Sequence, residues 1–236
     1  MRLPRLRVEH VVPLALALLA VLNAAPARAD AIRVVAADDR GITLALDLPA
    51  FRLTTAPDGR SFIEAGGLPL LDEPGRPRVP YASALIAVPP GASVTATVQG
   101  AEETRDRVAL VLGTRPGFRN DVDRLGLVPT REDVPAITDG PWPPSPIDLG
   151  QPFTLRGQRL VELQIRPFRY DELTGRLWAR RSVIVRLSFT GAPAAAAPGR
   201  LAPEDRHFEP VLKRAILNYQ PGRAWRATPG RAPAGS

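Results

Sequence analysis

Hydrophobic and polar residues alternate with a period of two along much of the chain between residues 30 and 190. The clearest run has Ile42, Leu44, Leu46 and Leu48 alternating with Thr43, Ala45 and Asp47. Successive side chains of a strand point to opposite faces, so this run predicts a half-buried strand. Ile32, Val34 and Val35 precede it across a turn at Asp38-Asp39-Arg40-Gly41. Phe51 and Leu53 on one side of Ala56-Pro57-Asp58-Gly59, and Phe62 and Ile63 on the other, predict a hairpin. Its turn has Pro to fix φ and Gly to accept a positive one. Residues 84–88 form an apolar strand, Pro89-Pro90-Gly91 turns it, and Val94, Ala96 or Val98 face inward from the next. Residues 108–112 read as one more apolar strand.

The longest patterned stretch runs over residues 156–189. Val161, Leu163 and Ile165 alternate with Glu162, Gln164 and Arg166. Residues 171–175 carry turn chemistry, with Gly175 free to take a positive φ. Beyond it Leu177, Ala179, Val183, Val185, Leu187 and Phe189 fall on one face, and Arg176, Arg180, Ser182, Arg186 and Ser188 on the other. The pattern predicts one long β-hairpin with a mostly wet face. Trp178, Arg181 and Ile184 interrupt its second arm and predict a partly covered outer face.

Elsewhere the period of two fails. Residues 113–139 mix Arg115, Arg119, Arg124 and Arg131 with Asp121, Asp123, Glu132 and Asp133. They predict a long loop, which in a compact domain is functional or disordered. Residues 141–146 are an extended Pro-rich lead-in with Trp142 capping the core. After residue 190 comes an Ala/Pro/Gly linker, then Phe208, Val211, Leu212, Ala215, Ile216 and Tyr219 at helical spacing. They predict an amphipathic helix stopped by Pro221-Gly222. The expected architecture is all-β, an antiparallel β-sandwich with a short C-terminal helix.

Residues 1–29 have the order of a secretory signal peptide: Arg2, Arg5 and Arg7, an apolar run over residues 11–22, then Ala27-Arg28-Ala29. Ala27 and Ala29 place the cut before Asp30, and the run is too short for a membrane span. The domain expectation is therefore 1–29 signal peptide, 30–190 β-sandwich, 191–222 linker and helix, and 223–236 a disordered basic tail. A monomer, secreted or periplasmic, is expected.

The formal charge of +7 invites a nucleic-acid reading, which the distribution of charge removes. The signal contributes four Arg and one Glu, so 31 − 4 = 27 basic and 24 − 1 = 23 acidic residues remain. Three of the four net charges sit at Arg223, Arg226 and Arg231, and no basic stripe with interleaved aromatics occurs.

Catalytic chemistry is poorly supplied. The chain has no Cys, so no thiol nucleophile, disulfide or thiolate metal site is available. His207 is the one His after residue 29, too few for a His-based metal cluster. No Gly-x-Ser-x-Gly elbow and no phosphate-cradling Gly-rich loop occurs. Asp121 and Asp123 read as solvated acids in a polar loop rather than a glycosidase pair. No enzyme, metal or cofactor is expected.

Three blocks resemble the propeptide domain of gingipain-type cysteine peptidases. One is the strand ending at Pro167, followed by Phe168, Tyr170 and a Thr174-Gly175 turn. A second is Gly75-x-Pro77-x-Val79-Pro80, with Val79 where the family usually has Leu. The third, Pro89-x-Gly91-Ala92, follows one strand later. The segment from Phe208 to Tyr219 also resembles the piece joining such propeptides to the catalytic domain, so the resemblance covers residues 62–219. It implies a noncatalytic domain that binds a gingipain-type cysteine peptidase in cis or in trans, helps it fold and keeps it latent. The catalytic domain is absent from this chain, which is then a fragment, a remnant or a trans-acting prodomain. If the peptidase is Arg-directed, Arg115, Arg119 and Arg124 are candidates to occupy its specificity pocket, where a guanidinium pairs with a carboxylate. Pro116 would protect the bond after Arg115 from cleavage. The alternative is a stand-alone exported β-sandwich for adhesion or carbohydrate binding.

Overall fold

A computed structural model describes residues 31–105, 107–121, 126–191 and 203–226. The expected signal segment, with Ala27 and Ala29, lies outside the described residues, as do Arg124 and residues 227–236. The strands are β1 (Ile32–Asp38), β2 (Gly41–Asp47), β3 (Phe51–Thr55), β4 (Ser61–Ala65), β5 (Ala82–Ala87), β6 (Ser93–Gln99) and β7 (Glu102–Arg105). They continue with β8 (Arg115–Asp121), β9 (Gly126–Glu132), β10 (Ile147–Leu149), β11 (Phe153–Leu155), β12 (Gln158–Ile165), β13 (Phe168–Asp171), β14 (Arg176–Arg180) and β15 (Ser182–Thr190). All pairings between them are antiparallel. The fold is all-β, as the alternation predicts.

Two sheets face each other. One has the order β1-β2-β15-β6. In the other, β12 pairs with β5 along one edge and with the short strands β10 and β11 along its other edge. The inward rows are those of the sequence pattern: Ile42, Leu44 and Leu46 from β2, Val183, Val185 and Leu187 from β15, and Val161, Leu163 and Ile165 from β12, all fully buried. Each such side chain contributes about 1.5–3 kcal/mol of burial free energy. A smaller sheet, β13-β14-β7, closes a second core, in which Phe168, Tyr170 and Leu177 pack with Ile63, Val79 and Leu110.

The single long hairpin expected over residues 156–189 is not formed. Only its tip pairs, Phe168–Asp171 with Arg176–Arg180. Below the tip the arms part, β12 to one face of the sandwich and β15 to the other. Two residues mark the parting. Pro167 has no N–H for a ladder, and its carbonyl accepts from Arg180 N–H at 2.8 Å. Arg181 puts an exposed charge in the row of Leu177, Ala179 and Val183, and pairs with Glu103 at 2.6 Å. The buried row is broken where the strand changes sheets.

The face of β12 expected to be wet is covered at one end. Leu160 and Gln158 are buried, Gln158 beside Gly222, at which a Cβ would collide with that of Ala87. The amphipathic helix is likewise not continuous. A 3₁₀ turn (Pro203–Phe208) leads into α1 (Glu209–Ala215), which stops as Ile216 turns extended and bridges Leu85. Pro221 and Gly222 do not end a helix; they lie inside a second short turn, α2 (Tyr219–Gly222), followed by a 3₁₀ turn (Arg223–Trp225). Leu212, Ile216 and Tyr219 are buried, whereas Phe208, Val211 and Ala215 are exposed. The helical period is overridden by Asn218, whose amide donates to Ala87 O at 2.9 Å and accepts from Ala87 N–H at 2.7 Å. Within the stretch expected as a tail from residue 223, Trp225 is buried edge-to-face on Phe189, and Arg226 is buried in an ion pair with Glu209.

Residues 108–112 form no strand; Leu110 and Leu112 make only isolated bridges. The loop expected over residues 113–139 is mostly the hairpin of β8 and β9. No helix among the described residues is long and apolar enough to cross a membrane.

Candidate functional site: a self-paired ribbon

β8 and β9 pair with each other and with no other strand among the described residues. Their register runs from Arg115 opposite Glu132 to Asp121 opposite Gly126. At roughly 3.3 Å per residue, seven residues carry the chain about 20 Å from the first to the last rung. Gly117 leaves room for the side chains of Glu132 and Thr130, which a Cβ there would meet at 3.0 Å. Pro116 and Pro129 fit a two-stranded ribbon, whose outer edges need no N–H donor.

The ribbon joins the body at Gly75, the first residue of the Gly-x-Pro block. Gly75 N–H donates to Gly113 O at 3.0 Å, on the leg entering β8. Its carbonyl accepts from Ile137 N–H at 2.9 Å, on the leg leaving β9. One residue is thus a rung between both legs. Only glycine suits the place: φ is +74°, and a Cβ would lie 2.6 Å from Pro135 O. Gly113 is equally tight, since a Cβ there would collide with the Glu73 carbonyl.

Charged side chains brace the same junction. Arg76 makes a bidentate pair with Asp139, Nη2 lying 2.8 Å from Oδ2, and stacks over Trp142 at 4.6 Å. The Arg76 guanidinium holds the Asp139 carboxyl below its ordinary value, and Asp139 in turn raises Arg76. Arg131 Nη1 donates to Asp72 Oδ2 at 2.7 Å and to Thr114 Oγ1 at 3.3 Å. Arg78 Nε lies 3.4 Å from Asp72 Oδ1.

The other blocks have structural duties. Gly91 takes φ +72° in the turn between β5 and β6, and Arg159 Nη1 donates to the carbonyls of Pro89 and Ala92 at 2.9 and 2.7 Å. Tyr170 donates its hydroxyl to Val108 O at 2.8 Å; burial, then the nearby Glu172 charge, raises its pKa. Trp142 exchanges two 2.7 Å backbone bonds with Tyr170, and its ring lies under the Arg76 guanidinium.

Of the sequence-predicted site residues, Arg115 stands exposed at the ribbon's first rung, next to the body. Arg119 stands mid-ribbon opposite Val128. Arg124 belongs to the segment connecting the two strands, outside the described residues. Asp72, Arg76 and Asp139, which hold the ribbon, were not singled out by the alternation; the Gly-x-Pro spacing beside them was the available signal. Among the described residues no group of His, Asp and Glu is placed to hold a metal ion.

The Propeptide_C25 family matches over residues 60–223, a span containing the ribbon and both legs. The chain belongs to this family. Its fold is similar to a chain in the complex of Porphyromonas gingivalis RgpB pro- and mature domains. That likeness has a TM-score of 0.64 and 19% identity, and covers 82% of this chain and 100% of that one. A structure bearing on the zymogenic latency of gingipain K, also from Porphyromonas gingivalis, is similar with a TM-score of 0.51 and 21% identity. It covers 72% of this propeptide-family chain and 96% of its own. At these identities the likeness shows the shared fold. No curated protein matches the chain.

Proposed function

We propose that the chain is an exported, noncatalytic propeptide-like domain that binds a gingipain-type cysteine peptidase, assists its folding and keeps it latent. The carrying observation is the family match over residues 60–223, and the projecting ribbon supplies a means. A cleft that binds extended peptide can accept a two-stranded ribbon by its free backbone edges. An arginine presented there suits a pocket with a buried carboxylate.

Reach separates two of the three arginines. Arg115 at the first rung is held closest to the body, and Arg119 is four residues further along β8. Arg119 therefore ranks ahead of Arg115, and Arg124 remains a candidate outside the described residues. Export follows from the Ala27-x-Ala29 order, with the mature chain starting at Asp30; amino-terminal sequencing checks it, and a chain retaining Met1 contradicts it.

The functional test is inhibition. Residues 30–236 are mixed with a gingipain-type peptidase from the same source, and residual activity on an Arg-containing peptide is measured. Inhibition at micromolar concentration or below is expected, weakened more by Arg119→Ala than by Arg115→Ala. No inhibition by the unsubstituted domain refutes latency.

A further inference from the structure

Backbone bonds at Gly75, and from Gly113 N–H to Arg76 O at 2.8 Å, tie the feet of the ribbon and leave the strands beyond them to swing. Asp72 restrains that swing. It lies outside the ribbon, three residues before Gly75, yet its carboxylate meets both the returning strand and the body. Its Oδ2 accepts from Arg131 on the returning strand β9 at 2.7 Å, and its Oδ1 lies 3.4 Å from Arg78 of the body. Arg131 also reaches Thr114 on the leg entering β8, at 3.3 Å. Arg78 is itself tied by its N–H to Val111 O at 2.9 Å. One carboxylate therefore couples the outgoing leg, the returning strand and the body.

We infer that Asp72 is a positioning residue for partner capture, holding the ribbon at one angle so that its arginines are presented in a fixed direction. The inference rests on the reading of the ribbon as the peptidase-binding element. Its physical logic is a transfer of cost. The Asp72 and Arg131 side chains are 26% and 66% exposed, so their pair adds little to folding stability. Without it the ribbon samples many directions, and the lost freedom must be removed at binding instead. Asp72 should thus be nearly silent in an unfolding experiment and visible in partner affinity.

The chain has no cysteine, which makes site-directed spin labelling clean. Labels are placed by Asn120→Cys, near the far end of β8, and by Ile184→Cys, on the exposed face of β15. Pulsed dipolar spectroscopy then gives the distance distribution with Asp72 and with Asp72→Asn. A single narrow distribution is expected for the first and a broadened one for the second, at an unchanged Tm. In the unlabelled chain the inhibition constant against the peptidase should rise about fivefold in D72N. Identical distributions overturn the inference, as does an unchanged inhibition constant beside effective inhibition by the unsubstituted chain. If the unsubstituted chain inhibits nothing, the ribbon's peptidase role falls and this inference with it, a result distinct from either of the others.

Discussion

The strands β12 and β8 are nearly equal in length and opposite in circumstance. β12 has neighbours on both edges, four fully buried apolar side chains and a cover of C-terminal turns. Among the described residues β8 has one neighbour, β9, and that neighbour has no other. An isolated two-stranded hairpin is marginal in water, so the ribbon persists through its junction with the body rather than through a core of its own. Under the proposed function, stability and partner recognition are separated in space. Substitutions in the sandwich should change folding, and those in the ribbon or its junction should change binding.

The largest expected effect is in the sandwich. Leu163→Ala empties a fully buried site on β12 and should cost about 2–5 kcal/mol in urea unfolding. A loss under about 0.5 kcal/mol, the range of an ordinary surface change, would mean that the two faces are not packed as described. Next is Asn218→Ala, which strips both hydrogen bonds from the Ala87 backbone. Stranding buried groups costs about 1–3 kcal/mol each, and hydrogen exchange should rise in α1, α2 and the Ala87 amide together. Faster exchange at Ala87 alone would show that the C-terminal turns do not depend on this clamp.

Gly75→Ala tests the junction. Placing Ala at φ +74° costs about 1–2 kcal/mol, and its Cβ also meets Pro135 O at 2.6 Å. The expected result is a modest fall in Tm beside a larger loss of peptidase inhibition. Equal losses in the two would merge the regions this comparison separates.

These predictions rest on features of unequal legibility. β2, β6 and the inward row of β15 were readable because each turns an apolar row toward the core, and that facing is what writes a period of two into a sequence. The turns at Gly59, Gly91 and Gly175 were readable because each needs a positive φ. The ribbon was not, since strands with no core to face carry no obligatory alternation, and Pro116, Gly117 and Pro129 resemble loop chemistry. The sheet change at Pro167 and Arg181 was only half visible: Arg181 breaks the row, but nothing local says that the arms go to opposite faces. The helix was misread because the bridge from Ile216 to Leu85, far away in sequence, outweighs local periodicity. The proposed site was legible to a lesser degree: the alternation says nothing of a ribbon under its candidate arginines or of the residues bracing it.

The smallest expected effect is in acid. Asp139 is held below its ordinary 3.8, chiefly by its hydrogen bond to Arg76. A depressed carboxyl contributes stability above its unfolded pKa of about 3.9 and loses it as pH falls through the lower folded value. The junction pair should therefore be intact from neutrality to about pH 5 and weaken only below about pH 4. A carboxyl-carbon NMR titration of Asp139 should show a midpoint under 3.8, and a midpoint at or above it would remove this brace from the account.

Hydrogen exchange with and without the peptidase tests the central claim most directly. With a gingipain-type peptidase from the same source, amides on the free edges of β8 and β9 should become protected, while those of β2, β12 and β15 stay as they were. Protection elsewhere on the surface, with the ribbon unchanged, would contradict the assignment of the ribbon as the element that meets the peptidase.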